Sequence, residues 1–454
     1  MIFIIELFEA AHSSRGTRKL RGTLHIGYAT RHSVPISISV SELRFTHPLA
    51  AKLVWTKNMT LTDQELEAAY LARLDLGTGY PQLDLPKYVR DLYLDDSSGD
   101  ICLQFSPHWS PEKQALIDQD LISSLKQFLD VSSAPDHLAY VTFSGSIALD
   151  RALASTQIIA ARHKRKKIHV VTTTPCIDIM RLFLEERTGV TTHFLHSKKN
   201  GAFGIIDEDA FYGTISELSK KYPSDQICVL ISSPENPTGE VWHRDKLNTL
   251  ISICKIHDAV LIIDHCFVTA GLHSFNDIDK IWNLANKDLM WMAVWDTGKT
   301  FGLNEDKLGF LLTNSPFVGN AINQALAVLQ FGVSRRSKIF FAGLLKKALH
   351  YNYVEHIREV CKLNYNTLAS AKDNCFVARE PHAGSLALVD ISGTGRTDEQ
   401  IRSALIAKKI GVVSGNVFFH TTWKKNNFIR IALARQPEYF EDAIEALLRS
   451  LPRK

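Results

Sequence analysis

An α/β fold, with a mostly parallel central sheet in a large domain and a smaller α+β domain behind it, is what this sequence predicts. Three observations carry that expectation. From about residue 139, short apolar runs alternate with helical patterns, as in a parallel sheet covered by helices. The runs are apolar almost throughout, which suits strands buried on both faces. After about residue 335 the texture changes to a long helical stretch followed by separated short strands.

In chain order the expected strands are "AYVTF" (139–143), "IHVVTTT" (168–174), "ICVLISS" (227–233), "AVLIIDH" (259–265), "MWMAVW" (290–295) and "GFLLTN" (309–314). Between two of them, "RDKLNTLISICKIHD" (244–258) places Leu247, Leu250, Ile251 and Cys254 on one helical face. A helical stretch over 335–372 leads to "GSLALVDIS" (384–392), then "GVVSGNVFF" and "FIRIALA". The expected organisation is an N-terminal extension (1–70), a large domain (71–335) and a small C-terminal domain (336–454). Segment 71–110 joins the small domain.

Composition narrows the class. The chain has 454 residues, 45% hydrophobic and 22% charged, which is ordinary for a globular protein with a large core. A net charge of +4 is too near neutral to argue for nucleic acid, and "HKRKK" (163–167) reads as a solvated helix end. Seven cysteines, an odd number without C-x-x-C spacing, suggest free thiols in a reducing compartment, hence a cytoplasmic protein, and no metal is expected. No apolar run has the length of a membrane span, and "MIFIIELF", with acidic Glu6 and no basic residues ahead of it, is a poor signal peptide.

The segment "WDTGKTFGLNEDKLGF" (295–310) asks what a lysine does at the end of a core strand. A P-loop is excluded, because the first glycine of G-x-x-x-x-G-K-[ST] would be residue 293, which is Ala293. A solvated lysine and a covalent catalytic lysine remain. Other strand ends bear on the choice. "SSPENPTGEVW" (232–242) is a rigid turn that leaves the Asn236 amide aimed. "LIIDHCF" ends an apolar run on Asp264, a carboxylate costly to bury without a cation. "TFSGSIAL" places Ser144, Gly145 and Ser146 between a strand and a helix start, where backbone N–H groups and hydroxyls suit an anion. Pyridoxal phosphate needs such a set: an amine for a Schiff base, an acid at its pyridine nitrogen and an anion site. Lys299, Asp264 and Ser144–Ser146 offer all three.

With these residues in view, the chain from about residue 70 onward resembles the fold type I pyridoxal-phosphate enzymes of the aminotransferase class I/II family. "LDLGTGYPQLDLP" (74–86) looks like the family's Gly-x-Pro segment, and "NPTG" (236–239), "GKTFGLNEDKLGF" and "FIRIALAR" (428–435) match its motifs. The resemblance implies Lys299 as the Schiff-base lysine. Asn236, Asp264, Thr297, Lys307 and Ser144–Ser146 would lie at the cofactor. Gly79 and Arg430 would lie at the substrate, with the Arg430 fork on its α-carboxylate. It also implies a homodimer acting on a small-molecule amino acid, with neither nucleic acid nor membrane as partner.

Some positions depart from the pattern. Phe267 stands where a tyrosine is usual, Lys307 where an arginine is, Asp296 where a serine is, and Ile177 where an aromatic stacks. An acid would be repelled by phosphate, so Asp296 is expected to point elsewhere, toward a cationic substrate group or into a structural hydrogen bond. "DTGK", Lys307 and Phe267 are similar to a branch that contains arginine oxidases and hydroxylases. That branch has a histidine and a neighbouring acid where this chain has Tyr80 and Thr78. Transamination to a 2-oxo acid through a quinonoid is the leading expectation. The alternative is an oxidase, hydroxylase, cyclase or lyase acting on an arginine-like amino acid. A third is a transcription regulator with residues 1–70 as its head, though these show no helix-turn-helix pattern.

Overall fold

Alternate residues of each central strand face opposite sides of a sheet, and here both sides are dry. The computed structural model describes residues 68–69, 71–94, 111–131, 138–185, 187–196, 198–199, 202–203, 208–284, 288–327, 332–371, 375–419 and 427–451. The N-terminal extension lies outside these but for two residues.

The main sheet has seven strands: β1 (Leu138–Thr142), β2 (Ile168–Thr174), β3 (Val190–His196), β4 (Gln226–Ser232), β5 (Val260–Asp264), β6 (Trp291–Asp296) and β7 (Gly309–Thr313). Their spatial order is β1-β7-β6-β5-β4-β2-β3. All neighbours are parallel except β7, which runs antiparallel to both β1 and β6. The mostly parallel sheet that the apolar runs predicted is therefore present.

Val260, Ile262, Cys228 and Leu230 enter one core, while Leu261, Ile263, Val229 and Ile231 enter the other. Burying one such aliphatic side chain stabilises the fold by about 1.5–3 kcal/mol. Helix α1 (Gly145–Arg162) covers the first face through Ala148, Leu149, Ala152 and Leu153. Helix α2 (Arg244–Ile256) buries Leu247, Leu250, Ile251 and Cys254 against the other, the face expected from its spacing. Strand β3 had no counterpart in the expected set. It is an edge strand, half-exposed along most of its length, so its residues lack a continuous apolar run.

The expected long helix over 335–372 is two helices, α3 (Arg335–His350) and α4 (Tyr353–Ser370). The break falls at Asn352, whose φ of 52° is left-handed. Beyond it, β8 (Val377–Ala378), β9 (Leu386–Asp390), β10 (Val413–Ser414) and β11 (Phe428–Ala432) form a four-stranded antiparallel sheet in the order β8-β9-β11-β10.

The N-terminal segment is stitched into this smaller sheet. Leu74 and Asp75 pair in parallel with Ile410 and Gly411, Ala432 N–H donates to the Leu76 carbonyl, and Gln82 N–H donates to that of Ala434. Arg435, fully buried, donates to the carbonyls of Asp75 (2.9 Å), Thr78 (2.5 Å) and Tyr80 (2.9 Å). The Asp75 carboxylate accepts from the N–H groups of Gly77 and Thr78 and from Gln82. No described helix is long and apolar enough to cross a membrane, and no described His, Cys, Asp or Glu cluster could hold a metal.

Two outcomes follow for stability. Arg435→Met removes the donors of three carbonyls and leaves the buried Asp75 without its cation, so it should cost about 3–5 kcal/mol. Urea unfolding reads the loss, and hydrogen exchange should localise it to 74–82. The second concerns Glu235, in the turn after β4, held by the hydroxyls of Thr173 and Thr238. Burial pushes its carboxyl up to about 7. The fold thus prefers the neutral acid: that stability is full below the ordinary carboxylate range and is lost as pH rises through about 7. Glu235→Gln should flatten this dependence and be the more stable protein above neutrality, by on the order of 3 kcal/mol, in denaturation curves across pH.

Candidate active site

The carboxyl ends of β1, β2, β4, β5 and β6 lie along one edge of the main sheet, because β7 reverses direction once on either side. In open α/β sheets that edge is where ligands bind. The candidate residues sit on it, with β11 and the N-terminal segment facing them.

Asp264 ends β5 and takes the Cys266 N–H on Oδ1 at 2.9 Å. Burial pushes its carboxyl above its ordinary range, against the pull of the Cys266 donors and of the Lys299 charge. The neighbouring His265 is locked: Nδ1 donates to the Ser233 carbonyl (2.6 Å) and Nε2 accepts the Ile281 N–H (3.3 Å). Burial holds this imidazole down to about 4, so it stays neutral while it ties the end of β5 to the end of β4.

Lys299 follows β6 on a single helical turn (Gly298–Phe301) closed by Gly302, whose φ of 68° is left-handed. Its amine lies 3.5 Å from the centroid of the Tyr80 ring and 5.5 Å from that of Phe267. Lys307 Nζ donates to Tyr80 Oη at 3.1 Å and to Asn304 Oδ1 at 2.8 Å. Tyr80 therefore stands between the two lysines. Their charges, that of Lys299 first, pull its phenol below the ordinary tyrosine range against burial.

Asp296 was expected to meet a cationic substrate group or to make a structural hydrogen bond, and the structure has the hydrogen bond, with a second one to the start of α1. Its Oδ2 accepts the Gly145 N–H at 3.2 Å and its Oδ1 the Lys299 N–H at 3.1 Å. The positive end of α1 attracts the carboxylate. The room is tight: a Cβ at residue 145 would come within 2.8 Å of Asp296 Oδ2. Ser144 caps α1, its hydroxyl accepting the Ile147 N–H at 3.2 Å. The Ser146 N–H lies in the first turn and has no acceptor within the helix. Thr297 is fully buried, and its hydroxyl bonds both the N–H and the carbonyl of Leu308. That hydroxyl holds the turn together.

Across the site, the guanidinium of Arg430 is 3% exposed; it donates from Nη1 to Asn236 Oδ1 (3.1 Å) and from Nη2 to the Gly77 carbonyl (2.7 Å). Its Cζ lies 4.9 Å from the Phe418 ring centroid. A Cβ at Gly79 would stand 3.6 Å from Arg430 Nη2, so the chain passes close to the fork there. Asn236 is held by the turn ending in Gly239, whose φ is +72° and whose missing Cβ would lie 2.3 Å from that of Pro381. Ile177 is half-buried beyond β2. Lys299, Lys307, Asp264, Asp296 and Gly145 thus form one group and Arg430, Asn236 and Gly79 another, and the segment 77–80 touches both. Sequence reading gave no role to Tyr80 or Arg435. The signals were there, a tyrosine beside a glycine turn and an arginine closing an apolar run, but neither names its partner.

Similarity to known proteins agrees with this arrangement. Residues 205–447 match the model of the family described as aminotransferase class I and II. The chain is 23% identical over 336 residues to the Bacillus subtilis protein YugH, which carries an aminotransferase name, covering 73% of this chain and 81% of that one. The structure of YbdL from Escherichia coli, described as having a methionine aminotransferase function, superposes with a TM-score of 0.70 at 18% identity, over 87% of this chain and 98% of YbdL. That of MppP soaked with its product 2-ketoarginine gives 0.66 at 18% identity, over 83% and 99%. At such identities the two structures speak for the fold alone. The family match spans more than half the sequence and includes the turn of Asn236, the ends of β5 and β6 and the strand of Arg430, and this chain belongs to the aminotransferase class I and II family.

Proposed function

We propose that this protein is an aminotransferase that moves the amino group of an amino acid to a 2-oxo acid, with Lys299 as its catalytic amine. The observation that carries the reading is that the segment 77–80 joins Lys299, whose charge reaches the buried Asp264, to the Arg430–Asn236 pair. Pyridoxal phosphate is the cofactor of the family, and the residues fit it. A carboxyl that burial alone would neutralise suits a cationic ring nitrogen. The first turn of α1, Ser144, Ser146 and Lys307 form an anion site, provided that Asp296 yields the Gly145 N–H.

Bound there, pyridoxal phosphate would supply an electron sink conjugated to the α-carbon of the substrate. The rest is the work of the chain. Arg430 takes the substrate α-carboxylate on its fork, with Asn236 fixing the plane of the guanidinium. Lys299 Nζ accepts the α-proton and returns it to the carbon that becomes the new amine centre. Asp264 keeps a proton at the ring nitrogen. Phe267 and Phe418 exclude water from the two ends of the site. Phe143 and Ile147, exposed beside Ser144, suit burial against a second copy, and we propose a homodimer on that ground together with the family resemblance.

Both Asp296 oxygens face backbone donors, so the preference for basic substrates attached to that residue finds no further support in the geometry. One assay separates the outcomes. Amino acids are offered with and without 2-oxo acids and oxygen, while keto acid, ammonia and peroxide are measured. Product that requires a 2-oxo acid supports transamination; ammonia or peroxide without one sinks it in favour of oxidation or elimination.

Three variants sharpen the test. Borohydride reduction of the loaded protein should fix the label at Lys299 and nowhere else, and Lys299→Ala should slow α-proton exchange by about 100- to 10,000-fold. Arg430→Lys, which keeps charge and loses the fork, should lower kcat/KM by about 10- to 150-fold, largely through KM. Asp264→Ala should still take up cofactor yet turn over poorly, and near-normal turnover would mean that another group serves the ring nitrogen.

A further inference from the structure

Tyr80 touches both lysines of the site. Its ring lies under the Lys299 amine at 3.5 Å, its hydroxyl accepts from Lys307 at 3.1 Å, and Lys307 itself is 5.1 Å from the same ring. The residue has little freedom. Its carbonyl is held by Arg435 at 2.9 Å, and a Cβ at Gly298 would come within 3.2 Å of its ring. Phe267, the other aromatic near Lys299, has no hydroxyl, so at this place the phenol comes from the N-terminal segment.

We propose that Tyr80 is a positioning residue of the active site: its ring face seats the Lys299 amine, and its hydroxyl aims the Lys307 ammonium at the anion site beside the first turn of α1. The two contacts are different in kind. A ring face attracts an ammonium through its quadrupole and needs no hydroxyl. The bond to Lys307 needs the hydroxyl and is charge-assisted. With Asn304 as its second acceptor, Lys307 is fixed between two oxygens, which replaces part of the directionality a lysine lacks as an anion ligand. The charged groups facing the phenol are Lys299, Lys307 and Asp296. The two cations favour the phenolate and the carboxylate opposes it. The role of Lys299 as cofactor lysine comes from the proposed function, but its contact with Tyr80 does not depend on it.

The test uses the full chain. In cofactor-free protein, phenolate absorbance should show one tyrosine ionising below the ordinary range. That signal should vanish in Tyr80→Phe and move back up in Lys299→Met, which loses the leading cation but keeps the tyrosine. Binding of pyridoxal phosphate to Tyr80→Phe should weaken about tenfold, while pyridoxal, which lacks the phosphate, should bind as before. Tyr80→Leu, which loses the ring as well, should in addition slow α-proton exchange. The proposal is overturned if no early-ionising tyrosine exists, if it ignores Lys299→Met, or if pyridoxal and its phosphate lose affinity alike. Should borohydride fail to label Lys299 in the parent protein, the functional reading falls, while the titration still decides the contact.

Discussion

The site depends on one buried guanidinium. Arg435 reaches three carbonyls of the segment 75–80 and faces the Asp75 carboxylate at 3.8 Å. A cation wholly removed from water is tolerable only when its donors are met and its charge is balanced, and both conditions are satisfied here by the same short stretch of chain. The stretch in turn carries Gly77, Gly79 and Tyr80 to the carboxyl edge of the main sheet. Without that anchor, Arg430 would lose the Gly77 carbonyl, and the lysines would lose the ring between them.

The two acids of the site are held in different ways, and the result is a division of labour. Asp264 is pressed toward its neutral form and so favours an external cation. Asp296 lies nearby but is satisfied by backbone donors at a helix start. Both Asp296 oxygens are met by N–H groups, whereas Asp264 takes the Cys266 N–H on Oδ1.

The central strands were legible because a strand buried on both faces writes its character into consecutive residues, as 227–233 and 259–265 do. Strand β3 was not, because an edge strand with His193 and three threonine or histidine neighbours carries no such run. The turn of Asn236, the aspartate at the end of β5 and the lysine after β6 could be read from motif and resemblance. The Arg435–Asp75 link could not: its ends are 360 residues apart, and nothing local says that they meet. The bond of Asp296 to Gly145 was hidden for a related reason: the attraction of the Gly145 N–H exists only once the fold sets β6 beside α1.

The reversal at β7 has a consequence for how this part of the chain can vary. Gly309 pairs with Asp296, and its missing Cβ would lie 2.2 Å from the Ser144 carbonyl. Residues 297–308 are therefore a closed loop whose two ends are locked in register and pressed against the start of α1. Both lysines sit on it. An insertion or deletion there could not be absorbed at its ends, since slipping β7 by one residue would turn Leu311 from one core toward the other. The loop is a cassette of fixed length: its side chains can be exchanged, but its residue count is bound to the pleat of the sheet.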